Sequence, residues 1–129
     1  MTNLKLLNNK IISSELILNK VKAWKKNNQK IVFTNGCFDI IHLGHIELLA
    51  KAGDLGDKLI IGINSDLSIK SLKGEERPVL DVKSRSMIIA ALNFVDAVVV
   101  FEELTPLEII KKIQQKLLLK VEITMKMML

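Results

Sequence analysis

Ile31-Val32-Phe33-Thr34-Asn35-Gly36-Cys37-Phe38-Asp39-Ile40-Ile41-His42-Leu43-Gly44-His45 is the stretch that decides the fold. An apolar run enters it, two glycines punctuate it, and Ile46-Glu47-Leu48-Leu49-Ala50-Lys51 follows. The order reads as a strand, a glycine-containing turn and a helix N-terminus. Such a junction suits an anion, because the first turn of a helix leaves N–H groups unpaired and carries partial positive charge. Gly36 and Gly44 let backbone or ligand come close. His42 and His45 lie three apart and face the same way on a helical turn. Two imidazoles there can donate to charge that builds up on a phosphate. From the residues alone, two other readings stay open. The pair packs as ordinary structural histidines, or it binds a metal with Cys37 or Asp39 as a further ligand.

Outward from this junction, strands and helices alternate. Upstream, Ser13 or Ser14 caps a helix over about 15–26, with Leu16, Ile17, Val21 and Trp24 at helical spacing. Residues 1–9 read as a loose polar lead. The first strand runs from Ile31 to Thr34, and the helix after the junction from about Leu43 to Ala52. Lys58 to Asn64 is a second buried strand, delivering Asn64, Ser65 and Asp66 at its carboxyl end. Ligands of open α/β sheets bind at such ends, so Asn64 and Asp66 belong near the first turn, or else cap the turn that follows. Residues 69–78 read as a mobile charged loop carrying Lys70, Lys73 and Arg77. Alone it is a solvated loop; beside a phosphate site its cations would hold phosphate oxygens. Asp81 caps a helix over about 82–93, with Arg85 in its first turn, where the helix dipole disfavours a cation. Residues 96–101 form a third strand, and Thr105-Pro106 opens a helix to about Gln115. The alternation predicts an α/β fold with a parallel sheet and helices on both faces.

Composition narrows the function classes. With 129 residues and 49% hydrophobic content, the chain is one domain with a real core. No apolar run approaches the ~18 residues of a membrane span. The start lacks the apolar core of a secretory signal. One cysteine forms no internal disulfide, which fits a reducing cytoplasm. The net charge of +5 suits anionic substrates, but the lysines are dispersed and aromatics make up only 4%, so nucleic-acid binding is disfavoured. Small anionic molecules, a nucleotide and a sugar phosphate, are the expected partners; a homodimer is left open.

The pattern Gly36-x-Phe38-Asp39-x-x-His42-x-Gly44-His45 resembles the first signature of the nucleotidyltransferase superfamily. Its extended form, Phe33-Thr34-Asn35-Gly36-Cys37-Phe38-Asp39, is similar to one branch, the D-glycero-D-manno-heptose 1-phosphate adenylyltransferases. The likeness continues through Gly53-x-x-Gly56-Asp57, Asn64-Ser65-Asp66, Lys70-x-x-Lys73-Gly74-x-x-Arg77-Pro78 and Arg85, from about Lys30 to Gln114. The resemblance implies a Rossmann-like three-layer sandwich that joins ATP to a heptose 1-phosphate, with Mg2+ on the triphosphate and no protein metal site. It implies catalytic roles for His42, His45, Lys73 and Arg85. It places nucleotide contacts on Thr34, Asn35, Gly36, Cys37, Phe38, Asp39, Gly44, His45 and Asn64. Substrate phosphate falls to Asp66, Lys70, Lys73 and Arg77. The glycerol 3-phosphate cytidylyltransferases share the His-x-Gly-His element and are the rival enzyme class. A non-catalytic nucleotide-binding module is the rival outside enzymes.

Beyond Gln114 the family pattern would continue into a strand, a Lys-Gly-x-Asp-Tyr element and a second signature ending Gly-x-Ser-Thr-Thr. Residues 115–129 show neither. Back-translation offers a cause. A codon series for a Lys-x-Gly-Asp-Tyr-bearing run, with one nucleotide deleted, reproduces this tail to Leu129. The expectation is one domain over 1–129, with an N-terminal helix at about 13–27, a core over 30–116 and an aberrant tail over 117–129. The C-terminal part of the fold would then be missing and Leu117-Leu118-Leu119 would fill a strand slot, leaving half a site with weak or no activity and an exposed apolar edge. No sugar-kinase segment precedes the domain, so the chain is expected to stand alone.

Overall fold

The computed structural model describes residues 1–117 and 122–124. Three strands of the expected sheet are present: β1 (Ile31–Gly36), β2 (Lys58–Asn64) and β3 (Ala97–Phe101). A fourth, β4 (Glu122–Thr124), pairs with β1. All pairings are parallel and the order is β3-β2-β1-β4. Successive strands therefore step away from β1 on one side, and the chain then returns to its other side. Strand order reverses at β1, and in open α/β sheets ligands settle at the carboxyl ends of strands beside such a reversal.

Side chains alternate across the sheet with the strand period of two. Ile31 and Phe33, Ile60, Ala97 and Val99 enter one core with Ile17 and Val21 of α2 (Leu16–Lys26) and Ile109, Ile110 and Ile113 of α6 (Leu107–Leu117). Val32, Leu59, Ile61, Ile63 and Val98 enter the other. There they meet Leu49 and Ala52 of α3 (Leu43–Gly53) and Ile89 and Ala90 of α5 (Val82–Ala90). This is the expected three-layer sandwich. Trp24 packs at the rim of the first core rather than on a ligand.

Several expectations are corrected. The lead is not loose: α1 (Asn3–Lys10) is capped by the Thr2 hydroxyl. It is tied down by Lys10, whose ammonium donates to the Ala90 and Leu92 carbonyls at 2.9 and 3.2 Å. Residues 69–78 are not all loop. Lys70 and Lys73 lie on α4 (Asp66–Lys73), nucleated by the Ser65 hydroxyl, which accepts from the Ser68 N–H. The last helix runs to Leu117, not Gln115, because Gln114-Gln115-Lys116-Leu117 are all good helix formers. Leu117 is thus helical, and the strand beside β1 lies at Glu122–Thr124. Leu118, Leu119 and the rest of the tail outside 122–124 lie outside the described residues.

Candidate active site

The site is built where β1 ends. Phe38 takes a left-handed φ of 51° and folds its ring back over Gly36, where an added Cβ would sit 2.8 Å from the ring. Gly36 is thus required by close approach. The turn then leads into α3, whose N-cap is His42. His42 Nδ1 accepts from the Gly44 N–H at 3.0 Å, and His45 Nδ1 accepts from the His42 N–H at 3.1 Å. A Cβ at Gly44 would stand 2.9 Å from the His42 ring, so glycine lets that ring close over the helix start.

These two bonds settle the protonation of both rings. A backbone N–H can only donate, so each Nδ1 is the bare nitrogen and each neutral ring carries its proton on Nε2. The ring centroids are 4.0 Å apart, and Phe38 packs edge-on against His45. Burial, then His42 and then Lys73, push the His45 imidazole below its ordinary value and favour the neutral donor. The pair is thus two Nε2–H donors fixed at a helix N-terminus, and Lys73 brings positive charge to the same place.

Asp39 faces the other way. It is buried and accepts from the Val79 N–H at 2.8 Å, the Leu80 N–H at 2.9 Å and Arg77 Nη1 at 3.0 Å. Burial alone would raise its carboxyl. The Leu80 and Val79 N–H groups and the Arg77 guanidinium outweigh burial and hold it below the usual range. Arg77 keeps 42% of its side chain exposed while paired this way.

Cys37 is buried, and its thiol donates to Asn64 Oδ1 at 3.7 Å. Burial pushes the thiol up, and the opposing Lys73 and Arg85 charges are smaller effects, which disfavours a thiolate there. Asn64 Nδ2 donates to Ser68 Oγ at 2.9 Å, and Ser68 Oγ donates to the Glu103 carbonyl at 2.9 Å. Ser68 is a supporting residue that motif reading missed; its signal was the Ser65-x-x-Ser68 spacing. Thr34 and Asn35 are buried at the end of β1, and the Thr34 hydroxyl has no partner among the described residues.

Arg85 differs most from expectation. Its side chain is 0% exposed. Nε donates to the Leu80 carbonyl at 3.0 Å, and Nη1 to the Cys37 and Asn64 carbonyls at 2.9 and 2.7 Å. Nη2 donates to Asp66 Oδ1 at 2.6 Å. The unfavourable helix-dipole position is thus compensated from within the protein, by three carbonyls and a carboxylate. Asp66 is occupied by the same bond. Lys70 is exposed on α4. The structure therefore joins His42, His45, Gly44 and Phe38 in one cluster, within reach of the Lys73 charge. It ties Asp39 to Arg77, and Cys37, Asn64 and Asp66 to Arg85.

A cavity of about 110 Å³ opens elsewhere, at the end of β3, lined by Glu102, Glu103, Glu108 and Lys112 among others. Three carboxylates against one ammonium give it the wrong sign for phosphate.

Fold and β1 turn together define an α/β domain with a histidine-bearing helix N-terminus at the reversal of its sheet. Comparison with known proteins sharpens this: the chain belongs to the cytidylyltransferase-like family, which it matches over residues 33–128. That match continues past Gln114, where the resemblance carried by the sequence motifs ends. Over 96 residues, 74% of this chain, it is 58% identical to the Bifunctional protein HldE of Campylobacter jejuni serotype O:2, covering 21% of that relative. Over 111 residues, 86% of this chain, it is 51% identical to the Bifunctional protein HldE of Helicobacter acinonychis, covering 23%. The chain thus spans less than a quarter of these relatives' length. Among solved structures it is similar to a lipopolysaccharide core biosynthesis protein from Thermoplasma volcanium. The TM-score is 0.55 and the identity 28%, over 75% of this chain and 95% of that one. A pantoate-beta-alanine ligase from Francisella tularensis, 13% identical with a TM-score of 0.51 over 92% of this chain and 67% of that one, shares the fold.

Proposed function

We propose that the domain transfers an adenylyl group from ATP to D-glycero-beta-D-manno-heptose 1-phosphate, giving ADP-heptose and pyrophosphate for heptose-containing lipopolysaccharide. The reaction belongs to the cytoplasm, where ATP is available. The sugar-phosphate oxygen attacks the α-phosphorus, a new P–O bond forms, the bond to the bridging oxygen breaks, and pyrophosphate carries that electron pair away. Such a step needs positioning and charge stabilisation rather than covalent help. The observation that carries the proposal is the pair of Nδ1-anchored imidazoles. Their Nε2–H donors are held in place before any substrate arrives, as transition-state stabilisation requires.

Lys73 adds a cation to the same place, Lys70 adds another on the exposed side of α4, and Arg77 carries positive charge in the segment that follows. Thr34, Asn35, Gly36, Cys37 and Phe38 line the nucleotide side in this scheme, with Asn64 behind them. A buried hydroxyl without a partner is costly, and a nucleotide oxygen would relieve the one on Thr34. Magnesium enters with the triphosphate as part of the substrate. The nearby carboxylates of Asp39 and Asp66 are paired with Arg77 and Arg85. The two HldE relatives and the likeness to the lipopolysaccharide core biosynthesis protein of Thermoplasma volcanium support the heptose branch.

The test is pyrophosphate release by this chain, with ATP and heptose 1-phosphate in one arm and CTP and glycerol 3-phosphate in the other. Release in the first arm alone, slow in a chain without the Gly-x-Ser-Thr-Thr signature, is the expected result. Release in the second alone moves the chain to the cytidylyltransferase branch. Nucleotide binding without release in either arm makes it a binding module.

A further inference from the structure

We propose that Arg85 is a positioning residue: it locks the connection 74–80 to the signature turn and so sets where Lys73 and Arg77 stand relative to the histidines. The proposal deepens the nucleotidyl-transfer function and rests on it for its kinetic consequence alone.

A guanidinium keeps its charge at any working pH, and a buried charge is tolerated only when its donors are satisfied. Four of the five N–H groups of Arg85 go to protein acceptors. Those acceptors come from segments far apart in the sequence. The Cys37 carbonyl belongs to the signature turn, the Asn64 carbonyl to the end of β2, and the Leu80 carbonyl to the end of the connection. Asp66 adds the one carboxylate, from the first turn of α4. Each segment carries a candidate site residue: Phe38 and Asp39 follow Cys37, α4 with Lys70 and Lys73 follows Asn64, and Arg77 precedes Leu80.

Leu80 is held from both ends. Its carbonyl accepts from Arg85 Nε and its N–H donates to Asp39 Oδ1 at 2.9 Å. The Val79 N–H is held by Asp39 as well. Two charged side chains, one from the signature turn and one from α5, therefore fix the same short piece of backbone. Only a planar fork with donors on three nitrogens reaches three carbonyls and a carboxylate at once; a lysine ammonium presents its donors from a single atom. With the guanidinium fully enclosed, its contribution to catalysis passes through the backbone it holds.

The experiment is R85K in the full chain, read by amide hydrogen exchange and by kinetics. The expected result is a folded protein in which the Val79 and Leu80 amides exchange at least about tenfold faster while β2 amides are unchanged. In turnover, kcat falls about tenfold or more and KM for ATP stays within about threefold. Unchanged exchange at Val79 and Leu80, or a rise in KM with kcat preserved, overturns the proposal and makes Arg85 a phosphate ligand. A wild-type chain without turnover counts against the proposed reaction, and the exchange result then decides the role of Arg85 alone. If R85K does not fold, the wild-type Arg85 Nε–H decides. It is expected to exchange as slowly as a β2 amide with and without inorganic pyrophosphate. Exchange at the rate of an exposed arginine overturns the proposal.

Discussion

At the scale of single residues, the histidine pair carries the sharpest expectation. His42→Ala removes one Nε2–H donor and also the acceptor for the Gly44 N–H. Loss of one preorganised donor to a phosphoryl transition state costs about 10²–10³ in kcat. Steady-state pyrophosphate release should show that drop with the fold intact by circular dichroism, and unchanged turnover would remove His42 from the mechanism. Asp39 gives a pH prediction. Its folded carboxyl lies below the unfolded value, so the stabilisation it provides is complete above the unfolded value of about 3.9 and fades as pH falls through the folded one. Asp39→Asn should therefore lower stability near neutrality and flatten the dependence on pH below about 4. Denaturant melts across that window check both, and a slope matching wild type would show that Asp39 does not titrate as described.

At the scale of elements, α4 shows what local pattern reveals and what it hides. Its sequence is polar and buries only Ser68 and Ile69, so the apolar period that marks most helices is absent. A charged loop was the natural reading of its second half. The cap was legible all the same, since Ser65 stands three before Ser68 and its hydroxyl accepts that N–H at 3.1 Å. Ser65→Ala should cost about 1 kcal/mol in urea denaturation and carry Lys73 with it, raising KM for nucleotide. A mutant as stable as wild type would mean that packing of Ile69, not the cap, holds α4. Helix α1 was missed for a different reason. It buries no residue, and what secures it is long-range: Lys10 reaching Ala90 and Leu92, and the Ile12 N–H donating to the Val98 carbonyl at 2.9 Å. No local periodicity encodes such partners. The same limit hid the burial of Arg85, whose acceptors lie up to 48 residues away.

At the scale of the whole molecule, the short apolar strand runs, the cap at Asp81 and the glycine turn after β1 made the layered α/β architecture readable from the sequence. The identity of the strand beside β1 was not readable, because the apolar Leu117 is drawn into α6 and the pairing falls to Glu122–Thr124. That strand creates the reversal in strand order at β1, where ligands of open α/β sheets settle. Its backbone covers Val32, Phe33 and Thr34, which would otherwise present an unpaired parallel edge. A chain ending at Leu117 should therefore behave differently in two ways. The uncovered edge of β1 should promote self-association, seen as a concentration-dependent shift in light scattering. The rise in melting temperature with ATP, which measures binding to the folded state, should shrink or vanish because the strand-order reversal beside β1 is gone. If the shortened chain stays monomeric and keeps the full ATP-dependent rise, then β2 and the α3 N-terminus suffice for the nucleotide, and the reversal at β1 is incidental to binding.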